Sequence, residues 1–383
     1  MSRPARERAR DAARRPARSA SPATTARAEL PEEPLSRASA AAVAGALLIA
    51  WLVLFLPQVS GRVFVMGDAP LYRGYGDFSY ERWTALHQRT LWNPFVFFGL
   101  ASSSSLADPR PQWLPDSLLT LWDALTRGPH AWLLGPPLLA HLAGMIAIAV
   151  LARRLWRCGP AAMVIAGLVW GVAPNLVVPF TLGHDAQAIA AGLIPLGLLA
   201  LDGALGAKDG RHAIACALGL AATLALQVLG GHPQFVIYGL IAMVALVVLR
   251  RGEARSTSRF LLAGGAALMG LAMSSALWWP AWLYLGDTHR SEARFAAGNA
   301  RDLSLAFRDL LAFGWPRAVG WGGAGYWGGQ RATDYANTLG SIGFPLAAWG
   351  AFAAVRAWRA DSRSWRGSQC CSRSAPTCRG SAR

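Results

Sequence analysis

Residues 152–211 read ARRLWRCGPAAMVIAGLVWGVAPNLVVPFTLGHDAQAIAAGLIPLGLLALDGALGAKDGR, and the placement of charge in this stretch decides the fold. Two apolar runs, Ala161 to Phe180 and Ala186 to Leu201, approach the roughly 20 residues that a membrane helix needs. Arg153, Arg154 and Arg157 precede the first run, Lys208 and Arg211 follow the second, and the turn Gly183 to Asp185 between them carries no Lys or Arg. Arginine and lysine collect in the short loops on the cytoplasmic side of a membrane. The stretch therefore predicts a helical hairpin that leaves the cytoplasm, turns at Gly183 to Asp185 and returns.

Working outward, the same pattern extends over the chain. Ser39 to Leu56 and Trp132 to Leu151 precede the hairpin as apolar runs; Ala213 to Leu229, Phe235 to Leu249, Phe260 to Trp278 and Ser341 to Ala354 follow it. Arg250, Arg251, Arg255 and Arg259 follow the sixth run, and the turn Gly230 to Gln234 again lacks Lys and Arg. The expected fold is all-α: a polytopic helical membrane protein with about eight spans, residues 39–355, and its N-terminus in the cytoplasm. That topology puts two long segments outside, residues 57–131 and 284–339, and loops of such length in a compact architecture are usually functional. The first run could be a signal peptide, but a long arginine-rich leader and seven later spans favour an uncleaved anchor.

The ends differ from this body. Residues 1–38 are rich in Arg, Ala, Ser and Pro without apolar periodicity, the composition of a disordered basic cytoplasmic leader. Residues 356–383 form a basic tail dense in Arg, Ser and Cys with no span pattern. Such a composition is what a shifted reading frame in a GC-rich gene produces, so the tail reads either as out-of-frame sequence of a longer protein or as a cytoplasmic extension.

Across 383 residues, 54% are apolar and 15% charged, with a mean hydropathy of +0.30, far more apolar surface than one soluble core uses. The net charge of +16 would suit nucleic acid, but nine arginines lie up to Arg37 and seven from Arg356 onward, and no recognition module accompanies them. Nucleic acid is therefore not an expected partner. The five cysteines, Cys158, Cys216, Cys370, Cys371 and Cys378, show neither a CxxC pair nor histidines at zinc spacing. No Walker motif, GxSxG elbow, HExxH helix or dinucleotide fingerprint is present.

Chemistry-bearing residues cluster on the outer side. Asp68 in VFVMGDAPLY could act as a general base beside the membrane, or serve as a turn aspartate. His184 and Asp185 in TLGHDAQAIAAG open the fourth span; Asp185 suits an N-cap, and a His–Asp pair at a helix start also suits an anion. His232 and Gln234 in GGHPQFVIYG repeat the theme, alongside the simpler reading of a tight turn. Arg290 and Arg294 in DTHRSEARF suit a phosphate or diphosphate. Trp92 and Asn93 in TLWNPFVFFGL, with Tyr326 and Trp327, could stack on a sugar or simply mark the membrane interface.

These motifs, GD followed by tyrosine, LWNPFVFFGL, GHDAQA and GGHPQFVIYG, in that order on alternating spans, resemble the YfhO-like bacterial membrane proteins. ALWWPAWLYL and YWGGQRATDYANTLGSIGF extend the resemblance, which runs from about Val63 to Gly350 and corresponds to the N-terminal half of the usual family length. The family is grouped with the GT-C glycosyltransferases. The resemblance implies a bacterial cytoplasmic (inner) membrane location and transfer of a sugar from a polyprenyl-phosphate donor to a cell-envelope acceptor at the outer face, within membrane lipid. It implies Asp68 as the catalytic base, His184 and Asp185 as donor or acceptor contacts, and Arg290 and Arg294 as phosphate ligands. Some members of the class use a divalent metal, but no ligand set for one is evident, and no other cofactor is expected. The competing functions are a non-catalytic scaffold and a transporter or flippase of a lipid-linked substrate; for the latter His141 is the clearest ionisable residue within a span.

Overall fold

A computed structural model of the chain describes residues 35–60, 135–182, 184–250, 257–286 and 307–315, with short pieces at 62, 82, 85–86, 92–93, 100–101, 318, 320, 343, 345–350 and 352. The chain divides into Met1–Arg37 and Ala38–Arg383, and the architecture below is that of the second unit. Its long helices are α1 (Arg37–Leu54), α3 (Pro136–Trp156), α4 (Pro160–Gly171), α5 (Pro174–Leu182), α6 (Asp185–Gly206), α7 (Gly210–Leu229), α8 (Pro233–Arg250), α9 (Thr257–Met273) and α10 (Ser275–Leu285). A short α2 (Leu56–Val59) follows α1, and a 3₁₀ turn (Phe307–Leu310) leads into α11 (Leu311–Gly314).

Five of the described helices, α1, α3, α6, α7 and α8, are long and apolar enough to cross a membrane, and seven spans result if the bent pairs α4–α5 and α9–α10 each count as one. Of the expected eighth run, residues 343, 345–350 and 352 are helical, and the rest lies outside the described residues. The described residues are helical apart from turns and one antiparallel pairing, β1 (Trp92–Asn93) with β2 (Leu100–Ala101). The all-α class therefore holds for the described residues, the pairing being only two residues long on each side.

Proline places several helix starts. α3, α4, α5 and α8 each begin on Pro, whose missing N–H costs nothing in the first turn. This moves the start of the second span from Trp132 to Pro136, and the helix runs through Arg153 and Arg154 to Trp156. An αL residue, Arg157, ends it, with Arg157 N–H donating to Arg153 O at 2.7 Å.

The two expected continuous spans over Ala161 to Phe180 and Phe260 to Trp278 are instead broken. The first bends by 45° between α4 and α5, where Pro174 cannot donate to the carbonyl one turn earlier. The second bends by 69° at Ser274. Ser274 Oγ donates to the carbonyls of Gly270 or Leu271, each at 3.0 Å, and Trp278 Nε1 donates to Leu271 O at 2.8 Å. Serine bonding back to its own preceding turn bends helices. The freed carbonyls are satisfied by side chains, as a bend in an apolar setting requires.

α6 lies at the centre, packed against α3, α5, α7, α8 and α9, and it is the most buried of the candidate spans. Small residues allow this close packing. A Cβ on Gly192 of α6 would lie 2.6 Å from the carbonyl carbon of Ala140 on α3, so only glycine fits there. Leu201, Leu205, Leu220, Leu224, Met243 and Leu246 fill the core between α6, α7 and α8. Outward faces are apolar too: Ile241, Val244 and Val248 of α8 and Leu261 and Leu268 of α9 are exposed, a surface suited to lipid.

Candidate functional site

The bundle carries two chemically different ends. At one lie the turns before α6 and α8, which carry His184 and His232, and the charge of His184 is felt at His232. His184 occupies the N-cap position of α6 without a side-chain capping bond, and its carbonyl accepts from Ala188 N at 3.1 Å. His232 precedes Pro233, the first residue of α8, and its ring meets Phe235 edge-on at 5.2 Å. Burial first, and the charge of His184 second, hold the His232 imidazole below its ordinary range. His232 Nδ1 is buried with no hydrogen-bond partner among the described residues.

Asp185 does not act as the expected N-cap. It is the first residue of α6, with His184 in the capping position. The difference is one residue. Gln234 lies in the first turn of α8 and donates from Nε2 to the Tyr238 hydroxyl at 2.6 Å on the exposed surface. His184 thus lies within electrostatic reach of His232, and Gln234 is set against Tyr238.

Beneath this end, His141 of α3 is buried among Phe55, Trp170 and Phe180, with ring centroids at 5.0, 5.3 and 5.6 Å. Its Nε2 donates to Gly171 O at 2.9 Å. That carbonyl sits at the α4–α5 break, where the normal helical donor is displaced, so His141 ties α3 to the bend. Gln227 of α7, fully buried, donates from Nε2 to Ala190 O of α6 at 2.9 Å, one turn before Pro195.

The opposite end is ionic. Asp202 of α6 is fully buried and accepts from Arg154 Nε of α3 at 2.6 Å and from Arg250 Nε of α8 at 2.8 Å. One carboxylate thereby ties three helices whose chain positions are far apart. The turn between α6 and α7 adds a conventional cap: Asp209 Oδ1 accepts from His212 N at 2.7 Å, and this bond holds the exposed Asp209 carboxyl below its ordinary range.

Asp202 and Gln227 were not among the residues that the sequence patterns pick out. The signal for Asp202 was an acid inside the apolar run LLALDGALG, a placement that is costly unless a partner exists. Of the remaining expected site residues, Asp68, Arg290, Arg294, Tyr326 and Trp327 lie outside the described residues, as do the side chains of Trp92 and Asn93 and most of segments 57–131 and 284–339. The leader to residue 34 and the tail beyond residue 352 also lie outside them. Among the described residues, no group of three or more His, Cys, Asp or Glu side chains converges to hold a metal.

No protein-family model, curated protein or solved structure matches the chain.

Proposed function

We propose that this chain is a multi-pass protein of a bacterial inner membrane and that it works at the outer face as a GT-C-like glycosyltransferase of the YfhO-like kind. The reaction is transfer of a sugar from a polyprenyl-phosphate donor to a cell-envelope acceptor. The supporting observation is that His184 and His232 stand at the starts of α6 and α8, at the bundle end opposite Arg154, Asp202 and Arg250. Basic residues mark the cytoplasmic side, so the histidine end is the outer one, where a lipid-linked sugar is presented.

In this reading Asp68 takes the proton of the acceptor hydroxyl. The oxygen bonds to the anomeric carbon, and the sugar–phosphate bond breaks with its electrons passing to the departing polyprenyl phosphate. Arg290 and Arg294 face the phosphate, where fixed cationic donors stabilise the leaving charge, and His184 and Asp185 contact the donor or the acceptor. His232 and Gln234 complete the floor, and Trp92, Asn93, Tyr326 and Trp327 bound the sugar.

A transport reading is favoured by the buried polar atoms His141 Nδ1 and Gln227 Oε1, which have no partner among the described residues inside the bundle. The test separates the two. Purified protein in phospholipid nanodiscs is given radiolabelled sugar on polyprenyl phosphate, and product is compared for wild type and Asp68→Asn at matched abundance. A general base contributes about a hundred- to ten-thousand-fold, so Asp68→Asn should lose nearly all transfer. Undiminished transfer removes Asp68 as the base. Absence of transfer by wild type, with movement of label across sealed vesicles, favours transport; neither favours a scaffold.

A further inference from the structure

Arg154 and Arg250 fit the charge pattern of a membrane border, yet neither is a loose surface charge. The buried Asp202 carboxylate holds both guanidiniums by their Nε edges, while the Arg154 side chain keeps 39% of its surface exposed. A long flexible side chain normally loses rotamer freedom when it captures an anion. Here the carboxylate has already fixed it. One carboxylate stands between the two guanidiniums.

Depth is marked independently. Trp156, two residues beyond Arg154, is 75% exposed at the end of α3. Indole rings gather at the headgroup level of a bilayer, and two residues of helix rise span only about 3 Å. Arg154 therefore stands at headgroup depth, with the exposed apolar side chain of Leu249 next to Arg250 on the neighbouring helix. Planar guanidinium binds phosphate oxygens in pairs.

We infer that the exposed edge of Arg154, fixed by Asp202 beside Arg250, binds the phosphate headgroup of an acidic phospholipid in the leaflet at this end of the bundle. This rests on the membrane reading given above, though not on sugar transfer. The lipid phosphodiester sits against Arg154 and its acyl chains run along the apolar faces of α3 and α8. The bound headgroup adds a further link between α3 and α8.

The test uses the full chain in neutral detergent, titrated with dioctanoyl phosphatidylglycerol, dioctanoyl phosphatidylcholine or inorganic phosphate, with thermal unfolding as the readout. Phosphatidylglycerol should raise the melting temperature saturably; phosphatidylcholine and phosphate should not. Each basic residue near an anionic surface contributes about a fivefold factor, so Arg154→Gln should weaken the apparent affinity about fivefold while Arg157→Gln changes it little. Equal losses in both variants would show diffuse attraction and overturn the site. Equal stabilisation by inorganic phosphate would overturn the lipid assignment. Should Arg154→Gln fail to fold, photoactivatable phosphatidylglycerol is cross-linked to wild type. Adducts within residues 153–157 support the site, and adducts only elsewhere overturn it. Failure of the membrane reading itself shows separately, as chain recovered in the soluble fraction of lysed cells.

Discussion

Asp202 accepts a 2.6 Å hydrogen bond from Arg154, a residue 48 positions earlier in the chain, and the same carboxylate accepts another from Arg250, 48 positions later. The carboxylate is fully buried, and its removal withdraws an anion that both guanidiniums share. Breaking a buried pair from one side costs about 3–5 kcal/mol. Asp202→Asn should therefore lower the melting temperature sharply in detergent. Arg154→Gln and Arg250→Gln added to Asp202→Asn should recover part of the loss. A triple variant no more stable than Asp202→Asn alone would show that the charges were never coupled.

Gly192 offers a contrasting test, because its constraint is steric. Any side chain there meets the backbone of Ala140 across the α3–α6 contact, while a side chain on Gly206 at the end of the same helix meets nothing within 4 Å. Overpacking of this kind costs about 1–3 kcal/mol. Gly192→Val should reduce stability by that order, and Gly206→Ala should stay within about 0.5 kcal/mol of wild type. Similar behaviour of the two variants in thermal unfolding would contradict the close approach.

Much of the helical layout was legible because apolar runs, prolines and basic clusters are local signals. Pro136, Pro160, Pro174 and Pro233 mark starts through their own geometry. The bend at Ser274 was not legible, since a serine that bonds its own preceding turn has the same one-letter code as a serine facing another helix. Asp202 escaped for a different reason: its meaning depends on Arg154 and Arg250, whose positions already had an explanation in the charge pattern. His184 and His232 were legible as residues on the same side, because turns after alternate spans share a side. The electrostatic influence of His184 on His232 depends on the packing of α6 against α8, which no local pattern shows.

The orientation proposed from the same charge pattern can be checked in intact cells. In a background lacking the native cysteines, Ser103→Cys and Ala324→Cys should react with a membrane-impermeant thiol reagent, and Gly206→Cys should react only after lysis. Gly206 belongs to the end that carries Asp202, whereas residues 103 and 324 fall in the two long segments expected outside. Labelling of Gly206→Cys in intact cells together with protection of Ser103→Cys would invert the assignment.

The histidine end makes a prediction in pH. Burial, and next the charge of His184, lower the His232 pKa from its ordinary 6.5. Above about pH 6.5 the ring is neutral both folded and unfolded, so it imposes no pH dependence. As pH falls through 6.5, the unfolded chain takes up a proton that the folded chain refuses, and the folded state loses stability until the lowered folded value is passed. His232→Gln should remove this contribution, so that the melting temperature falls less between pH 7.5 and pH 5.5 than in wild type. His184→Gln takes away the second cause only; His232 should then titrate nearer its ordinary value, and the acid loss should shrink without vanishing. The two readouts are thermal unfolding at both pH values and the chemical shift of a ¹³C-labelled His232 ring followed through the titration. A His232 shift unchanged by His184→Gln would separate the two rings electrostatically and remove the pairing that places them in one site.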